Sequence, residues 1–284
     1  MELGRVGVWD IGLRSDDPGA RDRILDAARE LEDLGYGAIW LGANPGVGHA
    51  RTIIEATSRI VVATGILSIW EHEPEDVARE HLALAGDHPG RFVLGLGVSH
   101  APLVGERYRR PHAAMVDYLD RLDAAGVPAA DRVLAALGPK MLATARDRAA
   151  GAHPYFVTAD YTRRARAALG EGPLLAPEVK VVLDSDTDRA RQAAREHFAY
   201  YRELPNYTQN MLRLGFSEED LADGGSDRLI DAFFAIGDVE AARRRVAEHF
   251  EAGADHVTLQ VVGDLSGALP LEAWRALAPL TREF

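Results

Sequence analysis

The stretch FVLGLGVSHAP, residues 92–102, places a titratable side chain directly after a glycine-rich apolar run. Gly97 and Ser99 precede His100, and an unperturbed imidazole pKa of about 6.5 suits proton transfer near neutrality. The glycines could instead form a dinucleotide-binding loop, but that loop needs a third glycine and a helix beginning directly at it. Neither is present, so we predict the functional end of another kind of strand, with His100 catalytic. The alternative is a hydrogen-bonded histidine without a catalytic part.

The stretch ALGPKM, residues 136–141, predicts an anion-binding turn. A strand pattern runs into Gly138 and Pro139, and a helical pattern follows directly. The free N–H groups and the dipole at a helix start attract anions, Gly138 allows close approach of the backbone, and Lys140 adds a positive charge. An ordinary strand-to-helix turn with a solvated lysine is the alternative. The candidate contacts are Leu137, Gly138, Pro139, Lys140 and Met141.

The composition argues against several classes of site and partner. The chain has no cysteine, which excludes disulfides, thiolate nucleophiles and cysteine-ligated metals. The net charge of −12 repels phosphate backbones, so we expect no nucleic-acid partner. No signal-peptide pattern opens the sequence, and no apolar run reaches membrane-spanning length. We therefore expect a cytoplasmic protein without membrane contact that acts on a small-molecule substrate.

Eight β-rich runs alternate with helical patterns along the chain. The predicted strands are 5–9, 37–41, 59–70, 91–97, 132–137, 153–157, 178–184 and 256–262. Several are nearly continuous apolar runs, as expected for parallel strands covered on both faces. The pattern predicts a single α/β domain over residues 1–284, a (β/α)8 TIM barrel, for which about 250 residues are typical. Residues 185–236 are predicted as a helical crossover and insertion after the seventh strand, either a lid over the barrel mouth or a structural addition.

In such a barrel, the residues that follow the carboxyl ends of the strands line the ligand site. Here these positions hold glycine, apolar side chains and tryptophan, with few ionisable groups and no acidic cluster for a metal ion. A pocket of this composition suits a flat aromatic ligand, such as a redox cofactor that carries its own chemistry. The candidate cofactor contacts at the strand ends are Asn44, Gly65, Ile66, Gly97 and Ser99.

Four other histidines are expected to have no chemical role. His197 and His249 lie in charged helical patterns, which predicts solvated imidazoles. His153 and His256 open predicted strands, which places them at the end of the barrel opposite the ligand site, where they would serve stability.

The order and combination of several motifs resemble the luciferase-like flavin and deazaflavin oxidoreductases, and within them the group described as coenzyme F420-dependent. These motifs together cover nearly the whole chain. They are ELEDLGYGAIWLG, RIVVATGILSIWEHEPEDVA, RFVLGLGVSHAPL, YRRPHAAMVDYLD, RVLAALGPKMLATARDRAAGAHPY, LPNYTQNMLRLGF and GGSDRLIDAF.

The resemblance assigns roles to particular positions. In the deazaflavin branch, a non-prolyl cis peptide on the third strand backs the ring, and the matching pair here is Gly65-Ile66. The turn around Gly138 matches the place where the family holds the cofactor phosphate, and His100 matches a proton-donating position. Relatives commonly end the second strand with an acidic residue and a histidine, whereas this chain has Ala43 and Asn44.

The resemblance implies an oxidoreductase that transfers hydride between coenzyme F420 and an organic substrate. Two alternatives stay open on the same fold. One is an FMN-dependent monooxygenase, because both cofactors are flat rings that bear phosphate. The other is a non-catalytic flavin-binding paralogue, which the change at Ala43 and Asn44 keeps open. Relatives are often dimers, so we expect a homodimer.

Overall fold

The computed structural model describes residues 2–263 and 267–284. Its strands are β1 Val6–Asp10, β2 Ala38–Leu41, β3 Val61–Thr64, β4 Leu67–Ser68, β5 Phe92–Gly97, β6 Arg132–Leu134, β7 Gly151–Ala152, β8 Leu174–Leu175, β9 Glu178–Leu183, β10 Phe234–Gly237 and β11 Val257–Val261. All strand pairings within these residues are parallel.

Helices follow most of the strands and cover the outside of the sheet. They are α1 Arg21–Leu34, α2 Val47–Ile54, α3 Pro74–Asp87, α4 Ala101–Val104, α5 Pro111–Ala124, α6 Pro139–Arg148, α7 Ala159–Leu169, α8 Thr187–Arg202, α9 Pro205–Arg213, α10 Glu218–Leu221, α11 Asp227–Phe233, α12 Val239–Glu251, α13 Leu271–Leu277 and α14 Leu280–Glu283. In the described part of the chain, no helix combines the length and the apolar content needed to cross a bilayer.

The first crossover helix shows how local sequence sets these elements. The Asp17 carboxylate accepts a hydrogen bond from the Gly19 N–H at the start of a short 3-10 turn that leads into α1. One face of α1 is buried through Ile24, Ala28 and Leu31. Gly35 then ends the helix with φ of 94°, a left-handed conformation that favours glycine.

The sheet forms a ring with its amino ends on one side and its carboxyl ends on the other. Strand β1 pairs with β2 and β11, β2 pairs with β3, and β5 pairs with β3, β4 and β6. Strands β3 and β4 are two parts of one barrel strand, interrupted at Gly65 and Ile66. Side chains alternate between the barrel interior and the helical layer: Trp40 points inward while Ile39 and Leu41 pack against helices.

The ring closes through residues 174–183, where β8 and β9 form one barrel strand interrupted at Ala176 and Pro177. Its first half pairs with β7, and the ladder continues as Ala176 N–H donates to Ala152 and Glu178 N–H donates to Pro154. Its second half pairs with β11 on one side and with β10 on the other. The predicted (β/α)8 TIM barrel is therefore confirmed, with β10 as an additional strand.

Two details of the predicted strand order were wrong. The sixth strand is Gly151–Ala152 rather than 153–157, because Pro154 has no N–H to donate to a ladder and Phe156 turns the chain with φ of 56°. The insertion is helical only to Phe233, and the next four residues, FAIG, form β10 beside the upper half of β9. His153 consequently follows a strand instead of opening one.

A glycine in β5 makes the interruption between β3 and β4 possible. A Cβ atom at Gly95 would stand 1.9 Å from the Thr64 carbonyl oxygen. The Thr64 hydroxyl also donates to the Gly95 carbonyl at 2.7 Å and accepts from the Gly95 N–H at 2.8 Å. The two strands are therefore joined through a contact that leaves no space for a side chain.

We expect Gly95→Ala to lower the free energy of unfolding by about 1–3 kcal/mol, because the added methyl forces these backbones apart. Gly86→Ala is the matched control: a methyl group on Gly86 would meet no atom within 4 Å, and Gly86 lies within α3. There alanine should stabilise the protein by about 0.5–1 kcal/mol. Urea unfolding followed by circular dichroism measures both, and equal effects would contradict the close approach at Gly95.

Candidate active site

A cavity of about 870 Å³ opens at the carboxyl ends of the barrel strands. This volume lies within the range of about 300–1,000 Å³ that is usual for small-molecule sites. Residues that follow the strands form its floor and part of its wall. Representative members are Ile11, Asn44, Ser68, His100, Leu137 and Tyr155. The cavity therefore lies at the edge of the barrel where the sequence predicts the ligand site.

The insertion after the seventh strand supplies a second wall. Nine of the lining residues lie between Glu196 and Arg213, on α8, α9 and the turn between them. Three of them are the tyrosines Tyr200, Tyr201 and Tyr207. Asn206 donates through its side chain to the Ser99 carbonyl at 3.5 Å, which links the insertion to the loop after β5. The insertion thus helps to build the site.

The structure brings most of the predicted site residues to this cavity and leaves three outside its lining. Those that line it are Asn44, Gly65, Ile66, Ser99, His100, Leu137, Gly138 and Met141. Those outside the lining are Gly97, Pro139 and Lys140, of which the last two lie at the start of α6. A Cβ atom at Gly97 would stand 2.5 Å from Ile66 Cδ1, so Gly97 makes space for that side chain.

His100 lies between the barrel and the insertion, with its ring centroid 5.0 Å from that of Tyr207. Burial lowers the pKa of His100 to about 4. Its Nδ1 atom is buried and has no hydrogen-bond partner among the described residues. Burial thus moves the pKa of His100 below the neutral range expected from the sequence, and at pH 7 the imidazole is neutral, with one nitrogen able to donate and the other to accept.

The peptide bond between Gly65 and Ile66 is cis, as the resemblance implies. The indole Nε1 of Trp9 donates to the Gly65 carbonyl at 2.9 Å and holds this segment against β1. A Cβ atom at Gly65 would stand 2.7 Å from that indole nitrogen, so only glycine fits beneath it. Trp9, Gly65 and Ile66 together give the cavity an apolar face on this side.

Asn44 connects the loop after β2 to the segment after β3. Its side-chain oxygen accepts from the Ser68 N–H at 2.7 Å, which fixes the orientation of the amide. The amide nitrogen then donates to Glu71 Oε2 at 2.6 Å. Asn44 and Glu71 both line the cavity. A carboxylate is thus present at this rim although Ala43 and Asn44 replace the acid–histidine pair of relatives, and sequence reasoning missed Glu71.

The start of α6 lies at the cavity, where Gly138 and Met141 are lining residues. Gly138 is the N-cap and no side chain caps it, so the first amides of the helix have no intrahelical acceptor. A Cβ atom at Gly138 would meet no atom within 4 Å, which shows open space there. Arg213 of α9, which sequence reasoning also missed, lines the cavity as well. The site therefore offers amides and a guanidinium to an anion.

A buried ion pair beneath the cavity was also missed. Glu178 and Lys180 of β9 have fully buried side chains, and Lys180 Nζ lies 2.9 Å from Glu178 Oε1. Burial lowers the pKa of Lys180 to about 8 and raises the pKa of Glu178. The sequence signal was present: opposite charges two residues apart in a strand point to the same face. The expectation of few ionisable groups concerned the strand ends alone, and this pair lies in the barrel interior.

The predictions for the other histidines were wrong in three cases. His197 is largely buried and lines the cavity, and burial lowers its pKa to about 3. His249 is buried and shares a 2.9 Å hydrogen bond with the Thr162 hydroxyl. His153 lies against the cavity floor and stacks on Trp40 at 4.1 Å.

Within residues 2–263 and 267–284, no three His, Asp or Glu side chains come together in the manner of metal ligands. The arrangement can bind a flat apolar ring between Trp9, Ile66 and the insertion, hold an anionic group at α6, and offer the neutral His100 imidazole to a bound molecule.

We expect the His100 resonance to titrate with a midpoint near pH 4 in the protein without ligand, because burial disfavours the imidazolium. NMR spectra of histidine-labelled protein recorded from pH 7.5 downward measure this, and His100→Gln identifies the resonance. A midpoint near 6.5, the value of a solvated imidazole, would contradict the burial described here.

Comparison with known proteins relates the chain to one family. The model of the luciferase-like monooxygenase family matches residues 1–126. A 4-hydroxyprotoasukamycin monooxygenase of Streptomyces nodosus subsp. asukaensis is 33% identical over 97 residues, which are 31% of this chain and 26% of that relative. The chain therefore matches about a quarter of the length of that relative.

Solved structures match over nearly the whole chain. A coenzyme F420-dependent tetrahydromethanopterin reductase from Methanopyrus kandleri aligns with a TM-score of 0.74 and 17% identity over 98% of each chain. An F420-dependent secondary alcohol dehydrogenase in complex with an F420-acetone adduct aligns with a TM-score of 0.72 and 14% identity, over 98% of this chain and 99% of that one. The oxygenating constituent of 3,6-diketocamphane monooxygenase from Pseudomonas putida, in complex with FMN, aligns with a TM-score of 0.71 and 13% identity. The alignment covers 99% of this chain and 97% of that one. The resemblance to the luciferase-like family is confirmed for the first 126 residues, which its model matches, and the solved structures share the barrel fold over nearly the whole chain.

Proposed function

We propose that the protein is an oxidoreductase that transfers hydride between coenzyme F420 and an organic substrate bound in the same cavity. The observation that carries the proposal is that the open turn at Gly138, the apolar face at Gly65 and Ile66, and the His100 imidazole all line one cavity. The solved F420-dependent enzymes of the same fold support the choice of cofactor.

The residues present fit such a cofactor. A flat ring with a phosphate-bearing tail needs an apolar slot and a set of donors, and the cavity has Trp9, Ile66 and Met141 for the first and the α6 amides with Arg213 for the second. The open space in front of Gly138 leaves the backbone accessible to a phosphate oxygen. When bound, the deazaflavin would supply the hydride chemistry.

The side chains of this protein would bind and orient the substrate and would donate or accept the proton. The His100 imidazole is neutral at pH 7, so its protonated nitrogen can donate to a carbonyl oxygen of the substrate while the other nitrogen accepts. The insertion helices α8 and α9 would exclude water from the mouth of the barrel. Asn44 and Glu71 would lie at the edge of the site that binds the cofactor ring.

The second candidate is an FMN-dependent monooxygenase. Two observations favour it: the curated relative is a monooxygenase, and a structural neighbour at TM-score 0.71 is a monooxygenase in complex with FMN. Both cofactors carry a phosphate that the α6 turn could hold, so the two proposals share the same site. Assembly as a homodimer and a cytoplasmic location remain predictions.

We expect the purified protein to bind F420 with a dissociation constant below about 100 µM, detected by quenching of deazaflavin fluorescence. Gly138→Val should weaken binding about tenfold or more, because the side chain fills the space in front of the α6 amides. Titration with FMN runs in parallel. Binding of FMN alone would favour the monooxygenase, and binding of neither would contradict both.

Gly46→Val is the control for that variant. Gly46 is also an N-cap glycine with an extended backbone, at the start of α2, and it lies outside the cavity lining. A Cβ atom there makes only ordinary contacts, at 3.6 Å from His72 and 3.8 Å from His49, so a valine also alters a helix start but should leave F420 binding unchanged.

A further inference from the structure

A directed chain of hydrogen bonds leads from the buried ion pair to the cavity wall. Lys180 Nζ lies 3.1 Å from Gln260 Oε1, Tyr155 donates to the same oxygen at 2.7 Å, and the Tyr155 and Tyr201 hydroxyls are 2.6 Å apart. Tyr155 and Tyr201 line the cavity, whereas Lys180 and Glu178 are buried behind them. The proposed hydride transfer does not use this chain.

Lys180 is held as an ammonium. Glu178 accepts from it with both carboxylate oxygens, at 2.9 and 3.0 Å. The ammonium also lies over the rings of Tyr155 and Phe156, at 3.8 and 4.5 Å from their centroids. Carboxylate oxygens and aromatic faces both stabilise a cation. An ammonium has three donors and no acceptor, and this asymmetry sets the direction of every bond that follows.

The donor and the acceptor of each hydrogen bond in the chain can be assigned in turn, starting from Lys180. Because Lys180 can only donate, the Gln260 atom that faces it must be the carbonyl oxygen. That oxygen cannot donate, so the Tyr155 hydroxyl proton points to Gln260. Tyr155 then has only acceptor capacity left, so the Tyr201 hydroxyl proton points to Tyr155. The Tyr201 oxygen is left with free lone pairs and no free proton. The chain therefore ends in an acceptor on Tyr201, a residue of the cavity wall.

We propose that Tyr201 is a specificity-determining residue, whose oxygen accepts a hydrogen bond from the hydroxyl group of an aromatic or apolar alcohol. Tyr200 and Tyr207 also line the cavity, and aromatic side chains suit an apolar or aromatic body. A site built to accept from a hydroxyl group discriminates against an analogue that lacks the proton. The inference rests on the proposed function in that it takes this cavity to be the substrate site.

The test compares two neutral probes of nearly the same shape, 2-naphthol and 2-methoxynaphthalene, by isothermal titration calorimetry on the cofactor-free protein. The naphthol should bind about three- to tenfold more tightly, the range of one neutral hydrogen bond. Tyr201→Phe should weaken naphthol binding by the same factor and leave the methyl ether unaffected. Tyr108→Phe is the control, since Tyr108 lies outside the cavity lining and its hydroxyl takes no part in the chain; there the preference should persist.

A separate variant tests whether the Lys180 ammonium sets the direction of the hydrogen-bond chain. The charge-neutral double variant Glu178→Gln with Lys180→Met removes the ammonium without leaving a lone buried charge. Gln260 can then turn its amide nitrogen toward Tyr155, which reverses the chain and gives Tyr201 a free proton. The methyl ether should then bind as tightly as the naphthol or more tightly.

Equal affinity of the two probes for the native protein, failure of both to bind, or a preference that survives Tyr201→Phe would overturn the proposal. A double variant that folds and keeps the native preference would overturn the role given to the Lys180 ammonium in setting the direction. Because the probes are titrated without cofactor, these outcomes are independent of whether F420 or FMN binds.

Discussion

The barrel strand formed by residues 174–183 changes its neighbour part-way along its length, and the shape of the site depends on this change. Its lower half completes the ring by pairing with β7. Above Glu178 that partner is lost, since β7 ends at Ala152 and Pro154 cannot donate to a ladder. Strand β10 takes this edge of β9 instead. The ring is thus tightly closed at its amino end and parted at its carboxyl end.

The parted end is where the insertion enters. Helices α8 to α11 connect β9 to β10, and Phe198, Ile230 and Phe233 of α8 and α11 belong to one buried cluster with residues of both strands. The aromatic side chains of α8 and α9 thereby reach the barrel axis, where Tyr155 and Phe156 meet Tyr201 and Tyr207. The same gap leaves room in the interior for Lys180, which is surrounded by rings and by Glu178. The polar interior and the aromatic wall are therefore two results of one departure from a regular barrel.

Local patterns were sufficient to predict most of the fold. Continuous apolar runs located β1, β2, β5, β9 and β11 to within one or two residues, because buried parallel strands show this pattern without help from distant residues. Strand β10 escaped prediction because four residues after a helical run carry no periodicity of their own. The turn at Gly138 was accessible to sequence reasoning because strand, glycine and helix start are adjacent in the chain. The link between Tyr155, Lys180, Tyr201 and Gln260 was not, since it joins segments far apart in sequence.

Three imidazoles, His153, His249 and His256, are buried in the fold, and burial lowers their pKa values to about 4, 3 and 4. In the unfolded chain each would bind a proton below about pH 6.5. Between that value and the folded pKa the unfolded chain therefore holds more protons, so acid favours unfolding by about 1.4 kcal/mol per pH unit for each ring, and this contribution to stability is complete only above about pH 6.5. A falling pH therefore weakens the fold, because each of these rings binds its proton more readily in the unfolded chain.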